Sequence, residues 1–226
     1  MIWKIEKMNE KAIVIQQIDN LSKKFYTYDS SSIDKVINKN CKNNCIGKTI
    51  KFGVSDYYKT YKEIFNNKEY HILLNDGSLI CYYYVFDISN EIIKHCIYYI
   101  PAPSETVANY YEYNYDGEEK IDNDVLLEII EILKKYIRID YSLEGKKEFV
   151  HTNVHLHFGL DNSQIRFPIL SKIYPHEFLY FILKYGYESD AAGLEKLDLS
   201  NDKKIQLSEQ EQKRVYISNV FNGQIL

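Results

Sequence analysis

The sequence predicts an α+β fold, a largely antiparallel sheet with a central Asp-Gly hairpin, packed by amphipathic helices. Three observations carry this reading. Two β-rich runs, residues 70–74 and 79–86, flank the turn-forming residues Asn75, Asp76, Gly77 and Ser78. Further short β-type runs follow at 95–100, 137–141, 149–158 and 164–169. Apolar residues recur at helical spacing in two other stretches, Leu126, Ile129, Ile130 and Leu133 in one, Phe178, Phe181, Ile182 and Tyr185 in the other.

In chain order, Ile13, Ile18, Leu21 and Phe25 predict a first helix over 10–24, followed by a polar, Asn-rich loop. Residues 49–54 alternate like a short strand, and Asp56 is a candidate cap for a helix through Tyr57, Tyr61 and Phe65. A two-residue Asp-Gly turn of type I′ would set Leu74 opposite Leu79, Ile72 opposite Cys81 and His71 opposite Tyr82. Pro101 and Pro103 stop the strand that follows, because proline cannot donate to a ladder. Pro175 opens a helix that ends near Gly186, and a terminal helix is expected around 209–220.

No linker or internal repeat divides the chain, so one domain spans 1–226. It has a helical, lysine-rich part (1–68), a sheet core (69–187) and a polar C-terminal extension (188–226). With 226 residues, 45% of them hydrophobic and 27% charged, it can bury roughly 70% of its unfolded surface, enough for a core without disulfides or metal. The four cysteines, Cys41, Cys45, Cys81 and Cys96, are too few for a secreted disulfide scaffold and read as free thiols. Charges interrupt the N-terminal apolar stretches, and no run reaches the ~18 apolar residues of a membrane span. A cytoplasmic protein without membrane association is expected.

The net charge of −4 hides an asymmetry. Lysines dominate 35–68 and acids dominate 112–131. Within the basic stretch, Lys48, Lys51 and Lys59, interleaved with Tyr57, Tyr58 and Tyr61, form a candidate nucleic-acid surface of backbone-tracking cations and stacking rings. A solvated charged face is the plainer alternative.

The sharpest signal is the run carrying His151, His155 and His157. The two-residue period of a strand puts all three, with Asn153, on one face. Imidazoles so placed can hold a divalent metal, His155 and His157 being the candidate ligands, or act as acid and base. They can also be the wet face of an antiparallel sheet. Arg138 and Asp140 share a face by the same period, so Asp140 can orient an imidazole, ligate a metal or simply pair with Arg138. Lysine is the default cation of this chain and only Arg138, Arg166 and Arg214 are arginines. Arg138 and Arg166 flank the histidines, where a planar guanidinium suits a phosphate or carboxylate. His176, at a helix start, completes the candidate substrate-binding set. The Asp140, Glu144, Lys146 pattern of a nuclease is interrupted by Gly145, and Cys41 with Cys45 lacks the second pair of a zinc site. There is no P-loop, no dinucleotide fingerprint and no G-x-S-x-G.

Six short segments in order resemble a bacterial family called domain of unknown function 2290. They are N-D-G-S at 75–78, Y-I-P-A-P at 99–103, R-I-D-Y at 138–141, H-L-H-F-G at 155–159, R-F-P at 166–168 and P-H-E-F at 175–178. An R-x-D segment ahead of an H-x-H strand is also similar to TumE-like toxins. The first resemblance supplies no established activity and supports the fold and the site; the second implies a toxin role, and a phage-defence or toxin setting is the expectation taken with the histidine cluster. Two functions are then open: an enzyme directed at a phosphodiester or nucleotide, or a non-catalytic subunit that docks a protein or nucleic-acid partner.

Overall fold

The computed structural model describes residues 8–24, 33–36, 44–113, 121–144, 153–159, 166–169 and 171–187. Its elements are α1 (Glu10–Lys24), β1 (Ile33–Val36), β2 (Cys45–Ile46), α2 (Tyr57–Asn66), β3 (Ile72–Leu74), β4 (Leu79–Phe86), β5 (Ile92–Ile100), α3 (Glu105–Tyr113), α4 (Asn123–Leu133), β6 (Ile137–Ser142), β7 (Val154–Phe158), β8 (Arg166–Pro168) and α5 (Pro175–Phe181). A π-helical turn over Ile182–Gly186 continues α5. The strands form one antiparallel sheet in the order β1-β3-β4-β5-β6-β7-β8, with β2 added to β4. The expected α+β class is what the chain adopts.

The sheet is covered on both faces because its strands are apolar on both. On one face Ile80, Tyr82, Tyr84, Ile97, Ile139, Val154 and Leu156 pack with Val14, Ile18 and Leu21 of α1 and Phe178 and Leu179 of α5. On the other, Leu79, Cys81, Cys96, Tyr98 and Ile100 pack with Tyr57 and Ile64 of α2, Val107 of α3 and Val125, Ile129 and Leu133 of α4. Fully burying one such aliphatic side chain stabilises the fold by roughly 1.5–3 kcal/mol, so these two layers are the main cohesive term. Asp122 caps α4 by accepting from the Asp124 amide at 2.8 Å, whereas Asp56 stands at the start of α2 without a capping bond.

Several expectations need correction. The hairpin does not use a two-residue turn: Ile72 lies opposite Ile80 and Leu73 opposite Leu79. The Gly77 N–H donates to Leu74 O and the Leu74 N–H to Ser78 O, leaving Asn75, Asp76 and Gly77 as the loop, with Gly77 at φ +85°. That is the geometry of a three-residue connection with a left-handed third residue. It is held by Asp76, which accepts from Ser78 N–H at 2.8 Å, and by Tyr61, whose hydroxyl donates to Gly77 O at 2.6 Å.

Residues 49–54 form no strand. Ile50, Phe52 and Val54 instead pack as loop residues against the α2–α4 core, and the Ile50 N–H donates to the Tyr98 hydroxyl oxygen at 3.2 Å. Tyr185 is exposed although its spacing predicts burial, because the π turn over Ile182–Gly186 breaks the helical period and buries Leu183. The C-terminal extension and the helix expected at 209–220 lie outside the described residues.

Candidate active site

The helical layer of α2–α4 covers β3 to β5, and beyond it the same sheet face turns polar. On β6, Ile139 and Tyr141 point into the α1/α5 core, so the strand alternation directs Arg138 and Asp140 to the other side. On β7, Val154 and Leu156 do the same for Asn153, His155 and His157. Antiparallel pairing then sets Asp140 opposite His155 and Arg138 opposite His157. The next strands extend both rungs. Cys96 lies opposite Asp140, Tyr98 opposite Arg138, Pro168 opposite His155 and Arg166 opposite His157.

One carboxylate oxygen is the centre of this group. Asp140 Oδ2 lies 3.0 Å from Arg138 Nε, 3.3 Å from His157 Nε2 and 3.7 Å from His155 Nε2. The imidazoles meet edge to face with ring centroids 4.7 Å apart. Arg138 Nη2 is 3.3 Å from His157 Nε2. Both imidazoles are buried, while Arg138 and Asp140 keep 16% and 21% of their side-chain surface and so form the accessible lip of the site.

Burial pushes the Asp140 carboxyl up, but the hydrogen bond from His157 and the Arg138 guanidinium outweigh it and hold the group at about 2. It is therefore a fixed anion. The Cys96 thiol beneath it is pushed up to about 12 by burial and by that same carboxylate, and is no nucleophile. His157 Nε2 cannot both donate to Asp140 and accept from Arg138. An ionised carboxylate is the stronger acceptor, so Nε2 carries the proton and Nδ1 keeps a lone pair.

Asp140, His155 and His157 also offer three ligand atoms within 4.8 Å of one another. Two nitrogens and a carboxylate oxygen are a suitable donor type for zinc. At bond lengths of roughly 2.0–2.1 Å, tetrahedral ligands stand about 3.3 Å apart, close to two of the three spacings here. The guanidinium opposes this use. A unit positive charge about 4 Å from a dication costs on the order of 8 kcal/mol at an effective dielectric of about 20. A divalent cation fits the donor set only with Arg138 swung away.

The other sequence-derived candidates divide. Arg166 pairs with His157 by backbone register. His151 lies outside the described residues. His176 does not join the site: it sits at the start of α5, on the opposite sheet face, where its Nε2–H donates to Gln17 O at 2.9 Å and its amide to Gln17 Oε1. Lys51 and Lys59 are exposed, and Lys48 pairs with Glu69 at 2.5 Å. Tyr57, Tyr58 and Tyr61 cannot offer stacking platforms, because all three are buried core residues. Sequence reading missed Cys96 and Tyr98 as neighbours of the site, since only the β5–β6 pairing brings them there. It also missed that the loop bearing Lys48 and Lys51 is tied to Tyr98, beside Arg138.

No helix among the described residues is long and apolar enough to cross a membrane. No curated protein and no solved structure matches the chain. A family model described as an uncharacterized conserved protein, DUF2290, matches residues 18–219, and this chain belongs to that family.

Proposed function

We propose that this protein is an enzyme acting on a phosphodiester or nucleotide by acid–base chemistry of His155 and His157. The observation that carries the reading is the convergence of both imidazoles and the Arg138 guanidinium on one ionised oxygen of Asp140. Asp140 orients both rings through their Nε2 edges. Arg138, with Arg166 beside His157 in register, supplies the planar donors that a phosphoryl oxygen needs. His157 Nδ1 is the base and His155 the acid. Lys51, exposed on the loop tied to Tyr98, adds positive charge beyond the site, which favours a polymeric anion over a free nucleotide. The setting in phage defence or a toxin system rests on the similarity of the R-x-D and H-x-H segments to TumE-like toxins.

The test uses the full chain with random-sequence RNA and DNA pools and with nucleotides, assayed for phosphodiester or phosphoryl bond cleavage. His157→Gln and Asp140→Asn are expected to lower the rate about a hundredfold or more with a native circular dichroism spectrum, Asp140→Asn also lowering Tm because the pair with Arg138 is lost. A His155→Gln, His157→Gln double variant that folds and keeps full activity ends this reading.

A second reading, a non-catalytic subunit that docks nucleic acid or a protein partner, draws on the exposure of Lys51 and Lys59. Reversing Lys48, Lys51 and Lys59 to Glu would then abolish binding without any dependence on His157.

A further inference from the structure

Three buried polar atoms on the face shared by β6 and β7 have no hydrogen-bond partner among the described residues: Asp140 Oδ1, Asn153 Oδ1 and His157 Nδ1. Asp140 and Asn153 offer oxygens that only accept, and His157 Nδ1 accepts once Nε2–H faces Asp140. A buried acceptor left unpaired costs roughly 1–3 kcal/mol, so three on one face describe a place where donors are to arrive. Beside them stands the Arg138 guanidinium, with Nε 3.0 Å from Asp140 Oδ2 and Nη2 3.3 Å from His157 Nε2, and its planar fork is the kind of group that also receives a phosphoryl oxygen. The fitting ligand therefore carries a negative charge and an O–H or N–H next to it. Among phosphodiesters, a ribose 2′-hydroxyl adjacent to the 3′-phosphate meets that description. DNA has the phosphate without the hydroxyl.

We propose that the substrate is RNA and that the 2′-hydroxyl is the nucleophile, its single O–H donating to His157 Nδ1 while Asp140 Oδ1 and Asn153 Oδ1 accept from other N–H or O–H groups of the nucleotide. This inference rests on the phosphodiester reading above. His157 Nδ1 takes the 2′-hydroxyl proton as O2′ bonds to phosphorus. The P–O5′ bond breaks, and the protonated His155 gives its proton to the departing 5′-oxygen. The products are a 2′,3′-cyclic phosphate and a 5′-hydroxyl. One proton is taken and one given, with no water, metal or redox partner consumed. Arg138 holds the phosphoryl oxygens. Asn153, which follows the β6–β7 loop and shares the face of His155, is a substrate-binding residue that accepts a hydrogen bond from the nucleotide.

The experiment compares, with the full chain in the presence of EDTA, a random-sequence RNA pool, the same pool fully 2′-deoxy, and the same pool 2′-O-methylated, with products identified by phosphorus NMR. The expected result is cleavage of RNA to cyclic phosphate ends and at least about a thousandfold slower cleavage of the other two. Asn153→Leu, matched in size but lacking the acceptor, is expected to raise KM about tenfold with kcat nearly unchanged and a native circular dichroism spectrum. Equal cleavage of the 2′-deoxy pool overturns the RNA inference and leaves the phosphodiester reading standing. RNA cleavage that yields linear phosphates overturns the transesterification. No cleavage of any pool or nucleotide removes both readings together.

Discussion

Each described histidine has to keep its proton on one ring nitrogen or the other, and what holds it there separates structural from candidate functional imidazoles. His71 Nδ1 accepts the Tyr82 N–H at 3.1 Å, His95 Nε2 accepts the Ile173 N–H at 3.2 Å, and His176 donates to Gln17 O. All three serve the backbone. His155 and His157 instead face a side-chain carboxylate, an arrangement with no role in a ladder or cap. Burial lowers His95 to about 3, so the folded protein keeps it neutral where the unfolded chain takes a proton. Its contribution to stability is complete above about pH 6.5 and is lost as pH falls toward 3. Between pH 7 and pH 4.5 urea unfolding should show a loss of roughly 2–3 kcal/mol attributable to this group. His95→Phe is expected to lower stability at pH 7, for want of an acceptor for Ile173, and to flatten the pH profile. A variant profile parallel to wild type refutes the assignment. Asp140 belongs to a lower window: its stabilisation is full above about pH 3.8 and disappears only as pH falls through about 2.

At the level of elements, the short β2 exists because Gly47 lets the chain leave it. Gly47 sits at φ +68°, and a Cβ there would stand 2.0 Å from Tyr82 O, a backbone atom that cannot give way without distorting β4. Gly47→Ala should cost about 3 kcal/mol or more in equilibrium unfolding. Gly186→Ala, with nothing within 4 Å and no positive φ, should fall within about 1 kcal/mol of wild type. Similar losses in the two variants would show that the Tyr82 contact is not what restricts position 47. The hairpin teaches the same lesson about turns. Asn75, Asp76 and Gly77 are legible as a turn from their residue types. Its length is decided by Asp76 bonding Ser78 and by Tyr61 reaching Gly77 O from α2, and a distant hydroxyl leaves no mark on local sequence.

Across the whole molecule, Glu10 joins layers that pairing alone would not. Its buried carboxylate accepts from Ile92 N–H at 2.6 Å, from Lys172 Nζ at 2.8 and 3.0 Å and from the Tyr174 hydroxyl at 3.1 Å. It thereby connects α1 to β5 and to the segment entering α5. Removing one member of a buried ion pair leaves the other charge uncompensated, so Glu10→Ala is expected to cost about 3–5 kcal/mol and to make α1 an early site of proteolysis. A loss under about 1 kcal/mol with unchanged proteolysis contradicts that role. The same docking puts α5 on the sheet face opposite Asp140, which is why His176, close to the cluster in sequence, is remote from it in space.

The sequence by itself determined the α+β class, the span of α1, and the rule that Arg138 shares a face with Asp140 and His155 with His157. These follow from local backbone geometry: a strand alternates with period two and a helix with 3.6, whatever else the chain does. Tertiary structure alone decided that those two faces are the same face, that Cys96 and Tyr98 flank it, that the lysine loop is tied beside Arg138, and that the tyrosines of α2 are core. Each of these depends on which strands become neighbours and in what register. That choice is made by non-local burial and pairing, whose free energy is a sum over residues far apart in the chain and is written at no single position.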